Sequence, residues 1–126
     1  MTTTTASDSK VLVCLNHGAE DAESVLIAYL VGVEALRAGK QSVMFLTKDA
    51  VHLAIGGTAE GVACDGCPPL ERLFADYASD GGKLLVCPIC ADSRKLDSEQ
   101  LVDNAQIGGA TPLWEWIGDG ATVFSY

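Results

Sequence analysis

The chain has 126 residues and a formal net charge of −9, with 48% apolar and 20% charged residues. This length and composition predict one globular domain whose core needs no disulfide or metal for its stability. The acidic balance disfavours binding to nucleic acid or to an anionic membrane, because like charges repel. The first ten residues lack the apolar stretch of a secretory signal, and no later stretch is long enough to span a membrane, so we expect a cytoplasmic protein.

Short apolar runs alternate with helical patterns along the chain. Residues 1–9 are small and polar and are predicted to form a disordered tail. The predicted strands are rich in β-branched residues, as in strands buried on both faces, and cover residues 11–15, 42–46, 83–87 and 121–125. The predicted helices cover residues 20–38, 47–55, 69–79, 98–105 and 111–117. From residue 10 to 126 we therefore predict a single α/β domain, a three-layer sandwich around a mostly parallel sheet of four to five strands.

The helix predicted at 20–38 has the clearest signals at its two ends. Acidic residues occupy its first turn, where carboxylates favour the positive end of the helix dipole, and Gly39 follows its last turn as a cap. Its apolar residues recur at helical spacing, which predicts one buried face. That face is formed by Leu26, Tyr29, Leu30, Val33 and Leu36.

Two cysteines, Cys87 and Cys90, follow the third predicted strand in the sequence Cys-Pro-Ile-Cys. Sites in open α/β sheets form outside the carboxyl ends of the strands, where the loops gather. A helix that starts there directs backbone N–H groups and its dipole at Cys87 and stabilises the nucleophilic thiolate, and Arg94 and Lys95 would add positive charge. The alternative is that both cysteines are small apolar fillers. A proline between paired cysteines in a turn favours the chemical interpretation.

An irregular segment at residues 56–69 holds a second pair, Cys64 and Cys67. Nineteen residues separate it from the Cys87/Cys90 pair, which is within the spacing of four-thiolate zinc sites. A helix and a buried strand lie between the pairs, unlike in zinc ribbons. Two alternatives therefore stay open: a zinc site of all four thiols, or a reversible disulfide that meets Cys87 across a cleft.

The other candidate residues carry weaker signals. Cys14 lies in a predicted buried strand and is interpreted as an inert core thiol. His17 follows the first strand, on the edge that holds Cys87, so it is either a general base or orienting group, or a structural residue. Trp114 and Trp116 are expected in the core or in a subunit interface. No phosphate-binding loop or dinucleotide motif is present, so no cofactor is predicted apart from the zinc alternative.

Three segments carry a family resemblance. They are the first strand with its polar turn and acidic helix start, the stretch 84–96 that contains Cys87, and the ending 108–126. In this order they resemble the DsrE/DsrF-like sulfur-relay family. The resemblance implies a small three-layer α/β fold, assembly into trimers or hexamers, and, in some members, transport of sulfur as a cysteine persulfide. The acceptor cysteine of those members directly follows the third strand, and the matching position here is Cys87.

The placement of Cys87 and the resemblance together predict a sulfur carrier or sulfurtransferase-like protein. Cys87 would take sulfane sulfur from a donor protein as a persulfide and pass it to an acceptor thiol, with Cys90 as the resolving thiol. Cys90 and the Cys64/Cys67 pair are not part of the family pattern and leave room for a dithiol or metal variant. Two alternatives are a zinc-binding or disulfide-stabilised interaction module, and a thiol–disulfide oxidoreductase that uses Cys87 and Cys90.

Overall fold

Five parallel strands form one sheet in the computed structural model of the chain, which describes residues 9–126. The strands are β1 (Lys10–Leu15), β2 (Gln41–Leu46), β3 (Lys83–Val86), β4 (Ala105–Ile107) and β5 (Thr122–Ser125). They lie in the order β4–β3–β2–β1–β5, and every neighbouring pair is parallel. The predicted fold class is thus confirmed. Of the predicted tail at 1–9, only Ser9 lies within the described residues, and its carbonyl accepts a hydrogen bond from Gln41 N–H at 2.8 Å.

The helices form the two outer layers. They are α1 (Ala22–Arg37), α2 (Leu70–Ser79), α3 (Pro88–Ser93) and α4 (Ala110–Ile117). Single 3₁₀ segments cover Ala19–Asp21, Lys48–Ala54, Thr58–Gly61 and Ser98–Gln100. From β1 to β4 the chain moves outward one strand at a time with α1, α2 and α3 on one face, and α4 on the opposite face returns it to place β5 beside β1. Within residues 9–126 no helix combines the length and the apolar character needed to cross a bilayer.

The main core lies between the sheet and the α1/α2 layer. Alternate residues of β1, β2 and β3 point into it, and the largest of them are Val13, Leu15, Met44, Leu46, Leu84 and Val86. The helices add Val25, Leu26, Tyr29, Val33, Leu70, Leu73 and Tyr77. The opposite face is smaller: Leu12, Val43 and Leu85 are covered by α4 through Leu113, Trp116 and Ile117. Trp114 is 70% exposed and is not in the core.

The packing of α1 differs in one respect from the prediction. Leu30 was expected inside, but it is 38% exposed. Gly32 is buried instead, and a Cβ at that position would stand 2.7 Å from the Tyr77 ring. The side of α1 that faces α2 therefore carries Gly32, and Leu30 is left partly exposed. The α-helix begins at Ala22, two residues after the predicted start at residue 20, and Asp21 is its N-cap. Asp21 accepts hydrogen bonds from the Ser24 N–H and hydroxyl, which lower the pKa of Asp21.

The helix predicted at 98–105 is wrong. Only Ser98–Gln100 forms a 3₁₀ turn, and Ala105–Ile107 is the edge strand β4 beside β3. The chain between them is tied to the segment after β2. Gln100 accepts a hydrogen bond from the Gly56 N–H, and the Val102 N–H donates to Ala54. These bonds hold the backbone extended and satisfy the groups that a helix would have paired within itself.

Two buried tyrosines give a matched test of the core. The Tyr29 hydroxyl is buried without a partner among the described residues, whereas the Tyr77 hydroxyl lies 2.9 Å from Ser42 Oγ. Burial raises the pKa of both phenols. We expect Tyr29→Phe to raise the free energy of unfolding by about 1 kcal/mol, because it removes an unsatisfied group. Tyr77→Phe should lower it by about 1–2 kcal/mol, because it leaves the buried Ser42 hydroxyl unpaired. Urea unfolding measures both free energies of unfolding. An equal loss in the two variants would refute the difference in hydrogen bonding between the Tyr29 and Tyr77 hydroxyls.

Candidate functional site

The segments that leave the five strands meet at one edge, here called the carboxyl edge (Asn16, Thr47, Cys87, Gly108 and Tyr126). A continuous series of backbone hydrogen bonds ties them together. The bonds, each 2.9 or 3.0 Å long, run from Gly108 to Val86, from Cys87 to Leu46, from Thr47 to Leu15 and from Asn16 to Tyr126. The first residue after each strand is therefore held as an extension of the sheet, which is a rigid base for a functional side chain.

Cys87 is the residue that links β3 to α3. Its N–H is bonded to Leu46, and its carbonyl accepts the Ala91 N–H at 3.0 Å as the first bond of the helix. The thiol is free and half-buried. The hydrogen bond expected from the helix backbone to the Cys87 side chain is not formed, and Pro88, the first helical residue, has no N–H to offer. The position of Cys87 is thus as predicted, but the predicted backbone support for its thiolate is absent.

Cys90 lies in the first turn of α3, three residues after Cys87. It is free and half-buried, and it packs against the main core. Its carbonyl accepts hydrogen bonds from the Ser93 hydroxyl at 3.1 Å and from Arg94 at 3.4 Å. Because both cysteines belong to one helical turn, the turn carries two free thiols that can act in sequence.

The positive charge near Cys87 differs from the prediction. Arg94 is paired with Asp49 at 2.9 Å, from Nε to Oδ1, so a carboxylate already compensates its charge. Lys95 lies two residues after the end of α3, in the left-handed region, with φ +53°. Arg94 is therefore engaged by a carboxylate from the segment after β2, and its support for the thiolate stays a prediction.

Lys48 is a cation that the sequence interpretation missed. Leu46 is the register partner of Val86, and Lys48 lies two residues after Leu46, at the start of the 3₁₀ segment Lys48–Ala54, which packs against α3. Lys48 is exposed and forms no ion pair within residues 9–126. Its φ of +52° is unusual for a residue with a side chain and costs about 1–2 kcal/mol. A lysine with this backbone conformation, in a segment that packs against the helix after Cys87, is a candidate for function.

His17 lies on the carboxyl edge but is engaged elsewhere. Its Nδ1 is 3.0 Å from Glu20 Oε2, while the other carboxylate oxygen of Glu20 accepts the Gly18 N–H at 2.8 Å. Strand β2 separates His17 from Cys87, which places their backbones roughly 10 Å apart. The structure thus brings His17 to Glu20 and not to the thiol.

Cys64 and Cys67 are joined by a disulfide, with their Cα atoms 5.3 Å apart. The Cys67 N–H bonds to the Cys64 carbonyl at 3.1 Å, and Gly66 has φ +78°, so the pair closes a tight turn. In the part of the chain that the structure describes, no three His, Cys, Asp or Glu side chains lie close enough together to hold a metal ion. The four-thiolate arrangement of Cys64, Cys67, Cys87 and Cys90 therefore does not fit this geometry, and zinc content remains to be measured.

Cys14 lies on the α4 side of the sheet, beside Phe45 in the register of β1 and β2. It is half-buried, and burial raises the pKa of its thiol. The charged, nucleophilic form is therefore disfavoured at Cys14. This agrees with its interpretation as an inert thiol and makes it a suitable control for experiments on the other cysteines.

Comparisons with known proteins agree with this architecture. A sequence model of the DsrE/DsrF-like family matches residues 9–126. The uncharacterized protein MJ0760 of Methanocaldococcus jannaschii is 29% identical over 100 residues, which are 79% of this chain and 36% of that protein. The chain thus spans about a third of the length of this relative.

Three solved structures share the fold. The ychN protein from E. coli superposes with a TM-score of 0.76 at 18% identity, over 94% of this chain and 99% of its own. MTH1491 from Methanobacterium thermoautotrophicum has a TM-score of 0.68 at 12% identity, over 94% of this chain and 100% of its own. BT1422 from Bacteroides thetaiotaomicron has a TM-score of 0.66 at 13% identity, over 98% of this chain and 100% of its own. At these identities the structures establish the fold.

Proposed function

Because the chain belongs to the DsrE/DsrF-like family, we propose that it is a sulfur carrier that accepts sulfane sulfur as a persulfide on Cys87. The observation that carries the proposal is the position of Cys87: a free, half-buried thiol that directly follows β3 and is fixed to the carboxyl edge by its backbone. A transfer thiol needs both access for a partner and a defined position, and this residue combines them.

The loading step needs only thiol chemistry. The Cys87 thiolate attacks the outer sulfur of a donor persulfide, the S–S bond of the donor breaks, and the donor thiol leaves as a thiolate that takes up a proton. Cys87 then carries the sulfur as a persulfide. An acceptor thiolate can attack the outer sulfur and receive it. Alternatively, Cys90 attacks Cys87 Sγ, hydrosulfide leaves, and a Cys87–Cys90 disulfide forms.

Lys48 supports the anionic forms in this scheme. Both the thiolate and the persulfide of Cys87 carry negative charge, and the chain as a whole has a net charge of −9. Lys48 is exposed at the start of the 3₁₀ segment that packs against α3, and it has no carboxylate partner within residues 9–126. We infer that this unpaired cation favours the ionised state of Cys87 and draws in an anionic donor.

The proposed partners are donor and acceptor proteins and further copies of this chain in a trimer or hexamer. Ile89, between the two cysteines, is 78% exposed and offers an apolar contact next to the thiol for a docking protein. Trp114 at 70% and Val123 at 56% exposed lie on the α4 and β5 side and support contact between subunits. Analytical ultracentrifugation tests the assembly, and a monomer at micromolar concentration would contradict it.

A second candidate function is thiol–disulfide exchange by Cys87 and Cys90. It is favoured by their shared helical turn, because a C-x2-C pair at a helix start is the arrangement of redox-active cysteines. The reduction potential of this pair tests it. A potential far outside the range of cellular thiol systems would exclude turnover.

Intact-mass spectrometry tests the principal proposal against its alternatives. The reduced protein is purified without chelator and divided. The mass of one portion is measured under native conditions to detect bound metal. The other portion is incubated with a low-molecular-weight persulfide before its mass is measured. We expect one added sulfur atom per chain and no bound metal. One zinc ion per chain with unreactive thiols would contradict the proposal and favour the metal-stabilised module.

A further inference from the structure

The Cys64–Cys67 disulfide has no part in the proposed transfer on Cys87. A bridge between cysteines three residues apart restricts the unfolded chain much less than a bridge that closes a long loop. The domain also has an extensive core of its own. Stability is therefore a weak reason for this bridge, whereas C-x2-C spacing is that of redox-active pairs.

The disulfide lies at the end of the sheet that holds Cys87. Helix α2 leads through a short turn at 80–82 into β3, so it runs antiparallel to the strands and its first residue, Leu70, lies at their carboxyl ends. Cys67 precedes Leu70 by three residues. Cys64, Cys67 and Cys90 also pack against the same main core. The two cysteine pairs thus share one end and one face of the sheet.

The disulfide is open to reaction. Both of its cysteines are half-buried, and Asp65, Gly66 and Pro68 around them are exposed, so a small thiol can approach the bridge. Between the 3₁₀ turn at Thr58–Gly61 and α2 the chain forms no helix or strand. A segment with few internal hydrogen bonds opens easily, and exchange requires such a movement, because the two cysteine pairs do not form one cluster among the described residues.

We propose that Cys64 and Cys67 form a second redox site, which reduces a disulfide between Cys87 and Cys90 by thiol–disulfide exchange. One thiolate of the reduced Cys64/Cys67 pair attacks the Cys87–Cys90 bond, which breaks, and the displaced thiolate takes up a proton. The second thiol of the pair loses its proton and attacks the mixed disulfide. This closes Cys64–Cys67 and frees the remaining thiol of the other pair.

Two electrons and two protons pass between the pairs in this exchange, and no other oxidant or reductant takes part. The product is the state that the structure shows, with a disulfide at Cys64–Cys67 and free thiols at Cys87 and Cys90. The inference rests on the proposed function only for the origin of the Cys87–Cys90 disulfide, which forms when hydrosulfide leaves the persulfide. A small thiol such as glutathione then reduces Cys64–Cys67 from its exposed side.

Trapping variants test whether the two pairs meet. In full-length Cys64→Ser, diamide oxidation in the absence of any sulfur donor should form the Cys87–Cys90 disulfide, which Cys67 then converts in part to a mixed disulfide. Peptide mapping after acid quenching should find Cys67 bonded to Cys87 or Cys90 within one chain, and Cys67→Ser should give the corresponding product with Cys64. Cys14 should take no part in either variant. If neither variant forms an intramolecular mixed disulfide, the proposal is wrong.

The rate of reduction by glutathione tests the direction of exchange. Once diamide has formed the Cys87–Cys90 disulfide, excess reduced glutathione should open it at least about tenfold faster in the wild type than in the Cys64→Ser/Cys67→Ser variant, because only the wild type offers the route through Cys64 and Cys67. Equal rates in the two proteins, or a Cys64–Cys67 bridge that excess reduced glutathione does not open, would overturn the proposal. Since no sulfur donor is present in these experiments, they can succeed even if Cys87 does not load as a persulfide. Conversely, persulfide loading on Cys87 can succeed even if the two pairs do not exchange.

Discussion

Replacement of Cys87 by serine should lower the rate of sulfur uptake from a low-molecular-weight persulfide by at least about a hundredfold, because a hydroxyl is a poor nucleophile at neutral pH. The fold should persist, since the hydrogen bonds at Cys87 to Leu46 and Ala91 are made by its backbone. Intact mass against time measures the uptake, and circular dichroism checks the fold.

Cys90→Ser and Cys14→Ser are the matched controls for that variant. Cys90→Ser should load at the wild-type rate but keep its persulfide longer, because no neighbouring thiol can displace hydrosulfide. Cys14→Ser should behave as the wild type in both respects, since Cys14 lies on the α4 side of the sheet. Loading that continues unchanged in Cys87→Ser would show that another thiol is the acceptor.

Lys48→Gln should slow the reaction of Cys87 with the negatively charged reagent iodoacetate about fivefold at low salt. A single charge near a surface thiolate is worth on the order of 1 kcal/mol, which is about a fivefold change in rate. The difference should shrink in 1 M salt, where charges are screened within about 3 Å. Timed alkylation followed by peptide mapping of Cys87 measures the rate.

Lys95→Gln is a close control for the Lys48 variant. Lys95 also has a left-handed backbone, with φ +53° against +52°, but it lies at the far end of α3 from Cys87. It should change the alkylation rate less than Lys48→Gln does. Equal effects of the two substitutions would mean that only the net charge of the chain matters. If Lys48→Gln had no effect on the alkylation rate, Lys48 would not act on Cys87.

The strands that hold the site could be predicted from their residues, because strands buried on both faces consist of continuous apolar runs. The sequence alone therefore predicts Cys87 at the end of β3. Strand β4 gave no such signal, since Ala105–Ile107 is three residues long and lies at an exposed edge. Its extended backbone depends on β3 and on the hydrogen bonds of Gln100 and Val102, which only the folded chain brings together.

The surroundings of the thiol could not be predicted in the same way. Arg94 is close to Cys87 in sequence, but its charge is compensated by Asp49, which is 45 residues away along the chain. Lys48 is distant in sequence and comes to this end of the sheet because β2 pairs with β3 and the segment after β2 packs against α3. The C-x2-C spacing of Cys64 and Cys67 suits a disulfide and a metal site equally, and the choice depends on whether other ligands fold toward them.

The site of sulfur in the loaded wild-type protein is the most direct test of a transfer thiol at the carboxyl edge. The reduced chain is loaded with a low-molecular-weight persulfide, alkylated, digested and sequenced by tandem mass spectrometry. The added sulfur should lie on Cys87 in the great majority of molecules. Sulfur found mainly on Cys14, Cys64, Cys67 or Cys90, or on no cysteine, would contradict the account.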